Sequence, residues 1–190
     1  MDLIPTPSQT VGPFFHLGCT TNHSISCIAG PNAKGERVRL ICRVLDGVGV
    51  AVDDAMIEIW QADSDGVYRH PADPRGQERD PNYSGFGRLA TDKNGMCVFE
   101  TIKPGRVPVD DGRLQAPHLN VCVFGRGIMK GLPTRIYFAG DPANGDCPIL
   151  ALVPEERRAT LMARRDPGNP GGWYFDVRLC GERETVFFDV

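Results

Sequence analysis

The chain has 190 residues, of which 41% are hydrophobic and 24% charged, and its formal net charge is -3. This length suits one domain with a substantial core, and the slight acidic excess argues against a general nucleic-acid binder. No apolar run reaches the roughly 20 residues that span a bilayer, and the first residues lack the basic and apolar regions of a signal peptide.

Seven cysteines are spread along the chain: Cys19, Cys27, Cys42, Cys97, Cys122, Cys147 and Cys180. Their number is odd, their spacing is wide, and no C-x-x-C motif occurs. This pattern predicts reduced thiols rather than a disulfide framework, and therefore a cytoplasmic protein.

The first 36 residues are rich in Pro, Gly, Thr, Ser and Asn, and we interpret residues 1–36 as an N-terminal arm. The arm also contains apolar residues, among them Phe14, Phe15 and Ile28, that are poorly suited to water. We therefore predict an ordered arm that contacts a partner chain. A flexible terminus is the alternative.

Residues 37–190 have the pattern of a β-sandwich. Residues 36–46 and 55–63 alternate apolar and polar side chains, which predicts two strands with one buried face each. Residues 64–84 form a long loop, and loops of this length in compact domains tend to be functional. Residues 86–91 and 96–102 flank a turn sequence at 92–95, which predicts a β-hairpin.

The second half of the chain adds further strands and one helix. Strands are predicted at 116–124, 134–139, 173–180 and 184–189. A helix is predicted at 154–165, because Pro154 suits a first turn and Arg164 and Arg165 suit the last. The fold class is therefore mainly β, an antiparallel β-sandwich with one short helix and a long N-terminal arm.

The strand at 116–124 carries the first candidate site. Side chains alternate along a strand, so His118 and Asn120 point to the same face. Tyr68 in the long loop adds a phenol, and a phenolate together with an imidazole would suit ferric iron. On pattern alone, each of the four histidines is more often a surface or hydrogen-bonded residue than a metal ligand.

At this point the chain resembles the intradiol ring-cleavage dioxygenases, from about Thr6 to Val190. Several motifs in the right order carry the resemblance, and together they are far more specific than any one alone. They are residues 6–14 (TPSQTVGPF), 57–63 (IEIWQAD), 66–68 (GVY), 86–88 (FGR), 101–105 (TIKPG), 116–120 (APHLN), 134–138 (TRIYF) and 184–189 (ETVFFD).

The resemblance implies a ferric site that this chain no longer has in full. Catalytic members of the family bind iron with two Tyr and two His, and those positions are here Tyr68, Val107, His118 and Asn120. Val cannot ligate a metal, and Asn is a poor ferric ligand. An Arg that usually precedes the first His by three residues is here Gln115. We therefore expect no iron on this chain alone.

In members built of two homologous chains, a beta chain carries the iron and a degenerate chain completes the substrate pocket. The resemblance therefore implies a beta-chain partner that holds Fe(III), and protocatechuate and dioxygen as substrates. It assigns substrate binding to Thr10, Gly12, Pro13 and Arg135. A guanidinium such as that of Arg135 can bind the substrate carboxylate with paired hydrogen bonds.

Two alternatives remain open at this stage. The first is a self-sufficient dioxygenase that binds iron through Tyr68, His118 and a recruited Tyr83 or His70. The second is a β-sandwich used only for binding or assembly, with Arg135 as an ordinary surface residue in a salt bridge.

Overall fold

The computed structural model describes residues 7–10, 12, 17–75 and 80–189. Its strands are β1 Arg37–Leu45, β2 Met56–Trp60, β3 Phe86–Ala90, β4 Met96–Ile102, β5 His118–Phe124, β6 Leu132–Phe138, β7 Met162–Asp166 and β8 Asn169–Arg178. A short helix, α1, spans Glu155–Arg158 and continues as a 3-10 turn over Ala159–Leu161. Further 3-10 turns are His23–Ser26, Pro142–Asp146 and Leu150–Leu152, and residues 17–19 are also helical.

The strands form two packed halves in the order β3-β2-β5-β6 and β7-β8-β1-β4. Among the described residues, the halves join where β6 pairs with β7, Tyr137 with Met162 and Phe138 with Ala163. The β1–β8 and β6–β7 pairings are parallel, and the other neighbouring strands are antiparallel. The predicted mainly antiparallel β-sandwich is therefore confirmed, with two parallel pairings that the local pattern did not reveal.

The core lies between the two halves, as the alternation on the strands predicts. On β1, alternate residues Val38 to Val44 are at most 1% exposed, and they pack in one cluster with residues from β2 and β5. On β5, Leu119, Val121 and Val123 enter the same cluster. His118 and Asn120 therefore lie on the face of β5 that points away from the core.

The hairpin predicted for β3 and β4 is wrong, although its turn forms. Gly95 donates to the carbonyl of Asp92 at 2.8 Å and adopts a φ of +70°. The two strands then separate, because β3 pairs with β2 in one half and β4 pairs with β1 in the other. A turn sequence sets a local chain reversal, while burial of each strand's apolar face decides which partner it takes.

The predicted helix starts in the right place and ends too late. It begins at Glu155, directly after Pro154, but residues 162–165 belong to β7. Arg164 and Arg165 pair with Tyr174 and Trp173 of β8, so tertiary pairing overrides a helical propensity that is only weak.

The last predicted strand does not form either. Residues 184–189 have no regular secondary structure, and Phe188 ties this segment to β6 by donating to the carbonyl of Pro133 at 2.8 Å.

Part of the predicted arm packs on its own chain. Ile28 donates to the carbonyl of Glu100 at 2.9 Å, and Ile28 and Ala29 are each 1% exposed. The contact of the arm with a partner chain stays a prediction. Within the part of the chain that the structure describes, no helix is long and apolar enough to cross a membrane.

Candidate functional site

A row of three side chains crosses the outer face of the first half-sheet. The β2–β5 register places Trp60 opposite Asn120, and the β5–β6 register places Asn120 opposite Arg135. His118 lies opposite Tyr137, two residues along β5 and β6 from the Asn120–Arg135 pair and on the same face. Directly paired residues of antiparallel strands share a face, so the fold itself brings these five residues together.

The loop after β2 delivers Tyr68 to this row. Asp63 is 1% exposed, and its Oδ1 accepts hydrogen bonds from the backbone N–H groups of Asp65 at 3.0 Å and Val67 at 2.9 Å. Gly66 has a φ of +77°, and a Cβ at this position would collide with the backbone carbonyl oxygen of Arg106. Only glycine fits so tight a reversal, which fixes where the loop turns and where Tyr68 emerges.

Tyr68 contacts both Trp60 and Asn120. Its ring stacks on Trp60 at 5.9 Å between centroids, and its Oη accepts a hydrogen bond of 2.9 Å from Asn120 Nδ2. Asn120 Nδ2 also donates to the carbonyl of Trp60 at 3.3 Å. A carbonyl can only accept, so the amide nitrogen must face it, and Asn120 offers N–H groups to the row. Burial raises the pKa of Tyr68, so its phenol is protonated at neutral pH.

The hydrogen bonding of His118 leaves its Nε2 unprotonated, as in a histidine that ligates a metal through Nε2. Its Nδ1 lies 2.8 Å from the carbonyl oxygen of Ala116, so Nδ1 carries the proton and Nε2 carries the lone pair. Nε2 is buried and has no hydrogen-bond partner among the residues that the structure describes. Burial, aided by the positive charge of Arg135, lowers the pKa of His118 to about 4, and the imidazole is neutral at pH 7.

Arg135 is held in place by Gln115. Arg135 Nη1 donates to Gln115 Oε1 at 2.6 Å, and its guanidinium lies 5.9 Å from the centre of the Phe188 ring. The backbone N–H of Gln115 in turn donates to the carbonyl of Val107 at 2.8 Å. Val107 is 8% exposed and contributes only an apolar side chain.

These residues do not fit a four-ligand ferric site. Tyr68 and His118 retain donor atoms, but Val107 has no lone pair and Asn120 offers N–H groups where a second imidazole would offer nitrogen. Among the residues that the structure describes, no group of three or more His, Cys, Asp or Glu side chains is placed so that it could hold a metal ion.

The two residues considered as further ligands of an alternative iron site already use polar atoms in other hydrogen bonds, although the His70 ring lies edge-on to Trp60 with ring centroids 6.5 Å apart. Tyr83 Oη donates to the carbonyl oxygens of Gln61 and Ala62, at 3.2 and 2.9 Å. His70 Nδ1 accepts from the backbone N–H of Ala72 at 3.1 Å. These contacts oppose a self-sufficient site built from Tyr68, His118 and either residue.

The arm residues assigned to substrate binding lie apart from the row. Thr10 Oγ1 accepts from the backbone N–H of Gly127, beyond the end of β5. Phe124, the last residue of β5, is six residues beyond His118, or about 20 Å along the strand. Gly12 has open space on its Cβ side, and Pro13 lies outside the described residues. The structure therefore groups Arg135 with the degenerate positions and does not group it with Thr10.

Sequence reasoning missed three residues that shape this site. Trp60 supports the Tyr68 ring, Asp63 folds the loop, and Tyr137 faces His118 with ring centroids 5.8 Å apart. Trp60 and Asp63 stand in the IEIWQAD motif and Tyr137 in TRIYF, so the motifs mark them, but their roles depend on strand pairings that no local pattern reveals.

Comparisons with known proteins define the class. A family model described as "Dioxygenase" matches residues 10–181. The chain is 46% identical to the protocatechuate 3,4-dioxygenase alpha chain of Burkholderia cepacia, covering 97% of each chain, and 36% identical to the beta chain from the same organism, covering 86% of this chain and 74% of that one. Among solved structures, 3-chlorocatechol 1,2-dioxygenase from Rhodococcus opacus shares the fold with a TM-score of 0.65 at 20% identity, covering 92% and 72% of the two chains. The chain therefore belongs to the dioxygenase family, which confirms the resemblance to intradiol enzymes.

Proposed function

We propose that the chain acts as the alpha chain of a protocatechuate 3,4-dioxygenase, assembled with a homologous beta chain. The complex would insert both atoms of dioxygen between the two hydroxylated carbons of 3,4-dihydroxybenzoate and yield 3-carboxy-cis,cis-muconate. Near-full-length identity to an alpha chain supports this function, and the match to a beta chain supports a homologous partner.

One observation carries the division of labour between the chains. The β-sandwich of the family is present, but two of the four iron-ligand positions are occupied by Val107 and Asn120, which do not suit ferric iron. The Asn120 side chain instead donates hydrogen bonds to Tyr68 and to the carbonyl of Trp60. We infer that the ferric ion is held by the beta chain, where it would chelate the two phenolic oxygens and activate the ring toward dioxygen. A degenerate site is tolerable in a chain that always has an iron-bearing partner.

The contribution of this chain would be substrate positioning. A guanidinium has five N–H donors, and Gln115 occupies one of those of Arg135. The remaining donors suit the carboxylate of protocatechuate, which must be held away from the metal. Thr10, Gly12 and Pro13 stay proposed substrate contacts, because a Gly-Pro backbone can approach a flat ring closely, but Thr10 lies apart from Arg135 within this chain, so the arm and Arg135 would contact the substrate at separate places.

We also expect the complex in the cytoplasm. The cysteines at all seven positions are free, and several, including Cys42, Cys97 and Cys147, are buried, as expected of a protein from a reducing compartment.

The test is ring-cleavage activity of each chain alone and of the co-expressed pair, measured by dioxygen uptake with protocatechuate. We expect full activity only for the pair. Full activity of this chain alone would establish a self-sufficient enzyme. Full activity of the beta chain alone would remove this chain from the pocket and favour an assembly role.

A further inference from the structure

The loop between β5 and β6 carries an exposed apolar side chain. This loop spans residues 125–131, and its Met129 is 53% exposed. Single exposed apolar side chains are common on protein surfaces, so Met129 alone does not indicate a contact. The N-terminal arm, however, is attached to this same loop.

The 125–131 loop is held in a fixed shape against the sheet. Ile128 donates to the carbonyl of Gly125 at 3.2 Å, and Arg126 forms an ion pair with Asp54 in the connection before β2. A Cβ at Gly131 would collide with side chains of β5, so the loop returns to the sheet in close contact with it. A preformed surface of this kind loses less conformational entropy on binding than a flexible one.

Thr10 attaches the arm to the loop. The backbone N–H of Gly127 donates to Thr10 Oγ1 at 2.8 Å. A hydroxyl that accepts one hydrogen bond can still donate its own proton, so Thr10 remains able to bind a further oxygen atom. Thr10 is exposed, and that oxygen atom can therefore belong to another molecule.

Chain length limits how far the arm reaches beyond this point. Pro13 follows Thr10 by three residues, and an extended chain spans at most about 3.3–3.6 Å per residue, so Pro13 cannot lie more than about 11 Å from Thr10. His118 of the same chain lies about 20 Å back along β5 from the end that carries the loop. A pocket that takes up Thr10, Gly12 and Pro13 together must therefore open beside the 125–131 loop, and it is not the His118 site of this chain.

We propose that the 125–131 loop docks against the iron-bearing homologous chain, directly beside the substrate pocket of that chain. Met129 packs on an apolar surface of the partner, and Gly127 positions the Thr10 hydroxyl at the edge of the pocket. Met suits this contact because its unbranched side chain adapts to irregular surfaces. The inference rests on the proposed function, since it takes the arm as a substrate contact, and it names the surface of this chain that faces the partner.

The experiment uses this chain co-expressed with its beta chain. The photoreactive residue p-benzoylphenylalanine replaces Met129 in one variant and Tyr174 in another, because Tyr174 is 37% exposed on the outer face of the other half-sheet. After irradiation we expect a cross-link to the beta chain from position 129 and loss of that cross-link when the residue stands at position 174. Met129→Asp should weaken association of the two chains about tenfold in analytical ultracentrifugation, whereas Met129→Leu, which keeps an apolar side chain, should leave it unchanged.

A cross-link from position 129 to a second copy of this chain, or equal cross-linking from positions 129 and 174, would overturn the docking surface. Equal association of Met129→Asp and the wild type would overturn it as well. Dioxygen uptake with protocatechuate is measured on the same complexes. An active pair without a cross-link from position 129 would overturn this surface and leave the proposed function standing. A pair that assembles but does not cleave protocatechuate would overturn the proposed function and, with it, the basis of this surface.

Discussion

Replacement of Arg135 by Ala removes the group that we assign to the substrate carboxylate. Arg135 is half-buried and held by Gln115 at 2.6 Å, so its remaining donors are oriented before substrate arrives. A hydrogen bond between charged groups contributes about 1.5–3 kcal/mol, which corresponds to a loss of about 10- to 150-fold in kcat/KM for protocatechuate. The carboxylate takes no part in ring opening, so its contact is similar in ground and transition states. The loss should therefore appear mainly in KM.

The assay is steady-state dioxygen uptake by the co-expressed complex, with protocatechuate and with catechol, which lacks the carboxylate. Arg135→Ala should lower kcat/KM for protocatechuate and leave that for catechol nearly unchanged. Gln115→Met is the control, because it retains the guanidinium and releases only its anchor, and it should give a smaller loss. Gel filtration checks that the assembly is intact. An equal loss for both substrates would show that Arg135 acts through structure, and the absence of any loss would remove it from the pocket.

Three further predictions concern stability and metal binding. His118 is buried with its pKa lowered to about 4, so the unfolded state binds more protons than the folded state as pH falls from about 6.5 to 4. Urea unfolding should show that the free energy of unfolding falls by about 3 kcal/mol across that pH window, and that the fall is smaller in His118→Gln. The same dependence of the unfolding free energy on pH in the variant and the wild type would contradict the buried neutral imidazole. Gly66→Ala should destabilise the chain by more than about 2 kcal/mol, because the new Cβ would collide with the backbone of Arg106. Gly112→Ala is the control: its φ is +82° but the space around its Cβ is open, so it should destabilise by about 1 kcal/mol. Equal destabilisation of the two variants in thermal unfolding would refute the close approach at Gly66. Asn120→His combined with Val107→Tyr should give a chain that binds ferric ion with a tyrosinate-to-iron absorption band, and a colourless double variant would mean that Tyr68 and His118 no longer have ligand geometry.

The strands could be predicted from the sequence because their signal is local. Alternation on β1 and β5 marks the buried face directly, and the structure buries those residues. The pairings could not be predicted in the same way. The β3–β4 turn forms as expected, yet its two strands pair in different halves, and residues 162–165 leave the helix to pair with β6 and β8. Each of these outcomes is decided by contacts between segments that are distant along the chain.

For the candidate site too, residue identities could be predicted from the sequence, whereas contacts between distant segments could not. The loss of ligands at Val107 and Asn120 is visible in the sequence once the motifs are aligned. The bond from Asn120 to Tyr68 and the anchoring of Arg135 by Gln115 are not, because they depend on the registers of β2, β5 and β6. Residue identity therefore predicts that a four-ligand site is incomplete, and only the fold shows how the surviving side chains are now bonded.

The most direct test of the central claim is the iron content of each chain, measured by elemental analysis on the separate chains and on the co-expressed complex. The account predicts one iron per alpha–beta pair, with none on this chain when it is purified alone. Two irons per pair, or one iron on the isolated chain with a tyrosinate-to-iron absorption band, would contradict it and restore the self-sufficient enzyme.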